Sequence, residues 1–438
     1  MKENSTMTTI KIIIIFITIL LYTGCAKKEI ETTTLNDLQN IKQQPYLYVK
    51  DLKPIPKKQQ INFIKDFKRK YFYPWHLTKS TFSYNDATWG NMYANMKVYS
   101  ENLTPISKEW FDTIITNSNF AQFDTLRKKA ITINNSHLKV FPTISKIFYD
   151  PKQAGEGFPF DYNENSSIKI NTPLFISHLS KDRLWAYVES SVANGWIQIS
   201  DIAYVDNKFR KIFENGNYYI NLKDDTNIYK NGYLLNSVEL GTLFPKAKKG
   251  GFIIASKDYK NNGFIRTIDA NNNFVKLGIT FTLDNIKKLS DELIGERYGW
   301  GGLLENRDCS LMIKDFYTPF GIFLQRNSSM QKNDGESIDL STLDNKMKKQ
   351  FIIENAIPFQ TLIYLPGHIM IYVGIKDGEP LVFHNMWGVK TVDSQGNYGR
   401  NIIGKAAVTT LMPGKELENF SDKYSILSRI KSITILTQ

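Results

Sequence analysis

Residues 307–317 read R-D-C-S-L-M-I-K-D-F-Y, and this stretch decides how the C-terminal part of the chain is read. Asp308 is a residue type whose side-chain oxygen accepts from the free N–H groups at a helix start. Leu311, Met312, Ile313 and Phe316 then recur at helical spacing. The pattern predicts a helix from Cys309 to about Tyr317, with the sulfur in its first turn. There the helix macrodipole is expected to lower the thiol pKa toward thiolate, the nucleophilic form. The bland alternative is a small buried cysteine, the commoner fate of a lone thiol.

Around that helix, residues 283–295 read as a second helix, and short strands are predicted at 359–365, 369–374, 381–384 and 406–411. A helix followed by consecutive short strands is an α+β layout, the helix packing on an antiparallel sheet. His368, after the Pro366-Gly367 turn, begins an otherwise apolar strand, and His384 closes another. Two histidines at successive strand ends, facing a helix-borne cysteine, would supply a general base and its orienting partner. His76, His137 and His178 have no comparable setting and read as structural or surface residues.

Upstream the texture differs. Residues 137–282 carry apolar runs of four to six residues separated by turns such as Asn231-Gly232 and Gly250-Gly251. They divide into two small all-β barrels, 137–206 and 207–282. Residues 46–136 read as mainly helical. One helix, around Ile61, Ile64 and Phe67, is expected to stop before Pro74, and another starts at Ser107. Residues 25–45 are polar and read as a tether. Ahead of them, residues 12–21 form an apolar run broken only by Thr18, far short of the about 20 residues a spanning helix needs. Residues 1–24 therefore read as a signal peptide, and the closing L-Y-T-G-C makes Cys25 a candidate lipidation site, although Tyr22 stands where such sites usually have Leu. The expected location is the cell envelope, lipid-anchored and facing the periplasm, in the outer membrane if the host is Gram-negative.

Composition narrows the chemistry. Two cysteines and five histidines in 438 residues exclude a disulfide scaffold and a cysteine-based zinc site, and argue against a His-rich metal centre. The net charge of +12 favours anionic surfaces such as lipid, teichoic acid or peptidoglycan stems. The basic residues are scattered, without zinc-finger spacing or an RNA-binding aromatic motif, so nucleic acid is not an expected partner.

Residues 298–302 (Y-G-W-G-G), Asp308-Cys309-Ser310, 365–368 (L-P-G-H) and His384-Asn385 together resemble the NlpC/P60 family of papain-like cysteine peptidases. F-P-T at 141–143, F-P-F-D at 158–161 and I-S-H-L-S at 176–180 extend the likeness to members with an N-terminal helical clip and two bacterial SH3-like domains. It covers most of residues 45–438. The resemblance implies a multidomain fold: a helical clip over 46–136, SH3-like barrels over 137–206 and 207–282, and a papain-like α+β catalytic domain over 283–438. It implies hydrolysis of the γ-D-glutamyl–diamino acid (meso-diaminopimelate) bond of peptidoglycan stem peptides, without metal or cofactor. Carried over, Cys309 is the nucleophile, His368 the general base and His384 its orienting partner. Asp308 and Ser310 line the pocket, and Tyr298 joins the Cys309 N–H at the oxyanion. Arg326 is a candidate contact for a diaminopimelate carboxylate, and Asp161 for the cleft. Leu311 departs from the glycine many members have after D-C-S. Two other readings stay open: a non-catalytic peptidoglycan-binding lipoprotein, and an amidase or acyltransferase acting on another wall amide.

Overall fold

In the computed structural model, which describes residues 34–437, the part of the expected tether that is described is folded onto the C-terminal domain. The signal peptide and Cys25 fall outside the described residues. Leu35 and Ile41 are buried, flanking the short helix α1 (Asn36–Asn40). Asp37 accepts from the Thr410 N–H and hydroxyl, both at 2.8 Å. The Gln43 amide pairs reciprocally with the Val408 backbone at 3.0 and 2.8 Å. This strap occupies the outer edge strand of the C-terminal sheet, whose backbone groups would otherwise be open to another chain.

Helix α2 (Lys57–His76) runs through Pro74 instead of stopping before it. A proline in the last turn forfeits only one intrahelical bond. The end of the helix is held from outside: Trp75 Nε1 donates to Ala130 O at 2.7 Å, and Arg210 donates to Trp75 O at 2.8 Å. Phe67, Tyr71, Phe72 and Trp75 form one buried stripe against residues of both β-rich units, including Ile131, Phe213, Tyr218 and Ile253. At about 1.5–3 kcal/mol for each fully buried large apolar side chain, this stripe clamps the units together. Helix α3 (Lys108–Asn117) begins as expected, with Ser107 accepting from the Trp110 N–H.

The first β-rich unit has seven strands: β1 (Lys128–Thr132), β2 (Ser136–Lys139), β3 (Glu164–Ile168), β4 (Pro173–Leu179), β5 (Trp185–Ser190), β6 (Asn194–Gln198) and β7 (Ile202–Tyr204), ordered β3-β2-β6-β5-β4-β1-β7. Strand β1 lies in the span read as helical. It pairs antiparallel with β4 and β7, so this barrel starts before residue 137. K-K-A-I-T is too short to show a period, and its partners lie more than forty residues away. After helix α4 (Asn207–Phe213), the second unit contains β8 (Tyr218–Asn221), β9 (Thr226–Lys230), β10 (Tyr233–Val238), β11 (Leu243–Pro245), β12 (Phe252–Lys257), β13 (Gly263–Ile268) and β14 (Phe274–Lys276). They close on a core of Ile228, Val238, Phe244, Phe252 and Phe274.

The C-terminal domain holds helices α5 (Leu283–Leu293), α6 (Cys309–Tyr317) and α7 (Asn345–Asn355). Its sheet contains β15 (Glu336–Asp339), β16 (Thr361–Leu365), β17 (His368–Lys376), β18 (Glu379–Val392), β19 (Tyr398–Thr410) and β20 (Ser432–Ile435), ordered β15-β20-β16-β17-β18-β19, all antiparallel. Met312, Ile313 and Phe316 of α6 pack on Leu362, Ile369, Ile371 and Phe383 of the sheet. The architecture is the expected one, a helical N-terminal region, an SH3-like β region and a C-terminal α+β domain. The β18–β19 hairpin is longer than its apolar cores suggested, and β15 and β20 were not anticipated. Among the described residues no helix is long and apolar enough to cross a membrane.

Candidate active site

Helix α6 starts where its capping residue places it: Asp308 accepts from the Leu311 N–H at 2.8 Å. Cys309 is buried, 6% exposed. Its sulfur lies in hydrogen-bond reach of the Ile369 N–H, next in the chain to His368. The position matches the expectation but the proton does not. Burial, with the Asp308 carboxylate beside it, pushes the thiol pKa up to about 12. Loss of water and an adjacent negative charge both disfavour thiolate, and here they outweigh the dipole of a nine-residue helix. The resting group is a neutral thiol.

His368 and His384 are joined by a hydrogen bond of 2.7 Å between His368 Nε2 and His384 Nδ1. His384 Nε2 is 3.0 Å from Thr409 Oγ1. The Thr409 hydroxyl donates its single proton to Thr410 O at 2.8 Å. It must therefore accept from His384 Nε2–H. His384 Nδ1 is then a bare acceptor, His368 Nε2 carries the proton, and His368 Nδ1 keeps a lone pair. One threonine thus sets both tautomers. Burial, and then the charge of Arg429, pushes the His368 pKa down to about 4, and burial with His368 beside it holds His384 well below the usual histidine range. Both rings are neutral at pH 7.

Asp308 and Ser310 belong to one buried cluster with Arg326. The Arg326 guanidinium reaches Asp308 Oδ2 at 2.7 Å and Ser310 Oγ at 3.0 Å, and its Nε donates to Ser166 of the first barrel at 2.6 Å. Burial raises the Asp308 carboxyl, but Arg326 outweighs it and keeps Asp308 ionised. Arg326 is therefore already occupied by the neighbours of Cys309. Asp161 is likewise internal, accepting from the Ile147 and Asn163 N–H groups at 3.0 and 2.9 Å. Tyr298 is half-buried near Cys309, and loss of water and that proximity drive its pKa far up, so it remains a phenol able to donate. His137, read as structural or surface, bridges Glu164 and Glu305 at 3.0 and 3.3 Å, linking the first barrel to the loop before Cys309.

Two cavities flank this group. The larger, about 1160 Å³, contains Cys309, Asp308 and Ser310, with Trp89 and Tyr93 from the helical region and Asn194 from the first barrel on its walls. The smaller, about 240 Å³, contains His368 with Trp300, Trp387 and Arg400. Tyr298, Tyr162, Trp300 and Gly367 line both. The Y-G-W-G-G turn is pressed against the first barrel. Gly302 has φ +97°, and a Cβ there would lie 2.2 Å from Ser167 Oγ.

Thr409 and Arg307 were not found by reading the sequence. Arg307 is buried against Asp315 (2.8 Å), Asp224 (2.7 Å) and Glu296 (2.6 Å). A threonine at a strand end carries no signal, but an arginine two residues before a candidate nucleophile is a hint to look for buried carboxylates. Among the described residues no group of three or more His, Cys, Asp or Glu is arranged to hold a metal.

The profile of the NlpC/P60 family matches residues 295–404. That of the NLPC_P60 N-terminal stabilising domain matches residues 14–123, and that of an SH3 domain of the SH3b1 type matches residues 146–198. No curated protein matches. Among solved structures, an NlpC/P60 endopeptidase from Photobacterium damselae subsp. piscicida is similar at a TM-score of 0.83 and 26% identity, over 91% of this chain and 98% of that one. An NlpC/P60 family protein from Bacillus cereus is similar at a TM-score of 0.44 and 14% identity, over 71% of this chain and 100% of that one. All three domain profiles lie in order along the chain, and it shares one fold with the Photobacterium endopeptidase over nearly its whole described length, so the chain carries an NlpC/P60 domain behind a stabilising domain and an SH3 domain of that architecture.

Proposed function

We propose that this protein is a peptidoglycan hydrolase that cuts the γ-D-glutamyl–diamino acid bond of stem peptides by thiol chemistry, with Cys309 as nucleophile, His368 as base and His384 as its orienting partner. The observation that carries this reading is the 2.7 Å His368–His384 bond, at a strand start whose next N–H reaches the Cys309 sulfur. The similar Photobacterium structure, an endopeptidase by its description, supports it.

The chemistry follows from the resting protonation. Attack of the neutral thiol on the γ-glutamyl carbonyl requires its proton to pass to His368 Nδ1 as the C–S bond forms. The imidazolium so made keeps its Nε2–H on His384, a neutral acceptor whose own proton Thr409 holds away. The oxyanion receives hydrogen bonds from the Cys309 N–H and the Tyr298 phenol. His368 then gives its proton to the leaving nitrogen, the C–N bond breaks, and a thioester remains. Water, deprotonated by His368, releases the acid and restores the thiol. Asp308, Ser310 and Arg326 line the acyl side, where the D-glutamyl residue lies.

Incubation of the protein with tri-, tetra- and pentapeptide muropeptides, read by mass spectrometry, tests the proposal. Products split between D-glutamate and the diamino acid are expected. Intact peptides held tightly would instead indicate a wall-binding protein, and a cut elsewhere would indicate another amidase.

Two further results are expected. Because activity needs the bare His368 Nδ1, kcat/KM should hold to about pH 5 and fall only as the pH approaches about 4. A limb near 6.5, the ordinary histidine value, in the pH–rate profile would contradict a buried neutral pair. Thr409→Val keeps the shape but removes the acceptor for His384 Nε2–H. His384 is then free to take its other tautomer, which turns a proton toward Cys309 through His368. A fall in kcat of roughly 10- to 1000-fold with little change in KM is expected from steady-state kinetics.

A further inference from the structure

The two cavities divide the substrate. His368 lines the smaller one and Cys309 only the larger. On the mechanism proposed above, His368 hands its proton to the leaving nitrogen, so the amine half of the substrate lies in the smaller cavity. Its lining is cationic: Lys390, Arg400 and Arg429 against one carboxylate, Glu156. Lys390 is already engaged, its ammonium 3.7 Å from the Tyr398 ring centre and 4.1 Å from that of Tyr424. Arg429 donates to Pro366 O at 3.0 Å, on the turn that carries His368, and is otherwise exposed.

Arg400 stands out. Its Nε is buried without a hydrogen-bond partner. The backbone of Gly155 lies so close that a Cβ there would be 2.3 Å from an Arg400 terminal nitrogen. Burial and the charge of Arg429 both work against the Arg400 charge, and Glu156, which accepts from the Tyr162 hydroxyl at 3.0 Å, offsets this only in part. A guanidinium held with a buried donor unused, next to a second cation, is a site that lacks its anion.

We propose that the smaller cavity binds a carboxylate carried by the residue on the amine side of the cut bond, with Arg400 as its anchor and Arg429 as the outer cation. A diaminopimelate residue carries such a carboxylate on its side chain, whereas lysine presents only an ammonium that the two arginines repel. The site therefore selects diaminopimelate-type over lysine-type stems, and this selection rests on the functional reading above.

The test uses the full chain and its Arg400→Gln and Arg429→Gln variants. The substrates are L-Ala-γ-D-Glu-meso-diaminopimelate, the L-lysine tripeptide, and the diaminopimelate tetrapeptide ending in D-alanine. The wild type is expected to prefer the diaminopimelate tripeptide over the lysine one by about tenfold or more in kcat/KM. Arg400→Gln should lose most of that preference through KM, while cleaving the lysine tripeptide at least as well as wild type, which also reports that it is folded. Arg429→Gln should lose less. If the tetrapeptide loses as much as the tripeptide in Arg400→Gln, the carboxylate read is the side-chain one. If only the tripeptide loses, the site binds a carboxylate but reads the chain terminus, and selection by the side chain is overturned. An unchanged diaminopimelate-to-lysine ratio in Arg400→Gln overturns the inference and leaves the hydrolase intact. No cleavage of any peptide by the wild type overturns the functional reading, and this inference with it.

Discussion

A Cys309→Ala chain is expected to fold as the wild type does and to lose stem-peptide hydrolysis by about 10⁴-fold or more. The sulfur is the atom that forms the acyl bond in the proposed mechanism, and no other cysteine occurs among residues 26–438. Within the site, Ser310 is the nearest hydroxyl in sequence, but it donates to Asp308 at 2.9 Å and accepts from Arg326 at 3.0 Å, so it has no base of its own. Loss of one small buried atom should change the unfolding temperature little, since the first turn is held by the Asp308 cap rather than by the thiol. The checks are product formation by mass spectrometry and a thermal scan of the same preparation. Residual hydrolysis within tenfold of wild type, at an unchanged unfolding temperature, would falsify the assignment of Cys309. Cys309→Ser adds a second check: its hydroxyl is harder still to deprotonate, so it should be nearly as inactive.

The largest effect on stability is expected at Arg307. Its guanidinium, 4% exposed, ties α6 through Asp315, the loop after α5 through Glu296 and the second barrel through Asp224. Lys169 of the first barrel adds a bond to Asp315 at 2.6 Å. Burial opposes charge throughout this cluster, and Arg307 answers it by holding Asp224 well below the usual carboxylate range. Burial and the nearby Asp224 push the Glu296 and Glu239 carboxyls up. Arg307→Met leaves the carboxylates without their cation, a change that costs about 3–5 kcal/mol. For a chain of this size the apparent unfolding temperature should fall by about 5 °C. The sign with pH is fixed. Carboxylates stripped of their cation have folded-state pKa values above their unfolded ones, so the penalty is greatest at high pH and shrinks as they protonate on acidification. Thermal scans at pH 8 and pH 5 should therefore show a smaller deficit at pH 5, and an equal deficit at both would remove the electrostatic explanation. Activity should fall as well, because the guanidinium anchors residue 307, whose backbone carbonyl accepts from Asn385 Nδ2 at 2.9 Å directly ahead of Asp308 and Cys309.

Much of the fold and of the site was readable along the chain. The Asp308 cap, the apolar spacing of Leu311, Met312, Ile313 and Phe316, and the Pro366-Gly367 turn before His368 act between residues a few positions apart. Their physics is therefore written in local order. The same locality explains the failures. Strand β1 exists because β4 and β7 pair with it, and the segment around Asp37 and Gln43 is ordered because a distant edge strand offers Val408 and Thr410. Helix α2 continues through Pro74 because Ala130 and Arg210 hold the end of the helix from outside.

By itself, then, the sequence singled out the candidate residues and the elements on which they stand: Cys309 at a helix start, His368 and His384 on neighbouring strands. It determined nothing about their protons. The neutral thiol, the two neutral imidazoles, the tautomer set by Thr409 and the unpaired donor of Arg400 were decided only when the chain closed. Ionisation depends on water excluded and charges brought near by residues far apart in the chain, and neither quantity exists until the tertiary structure does.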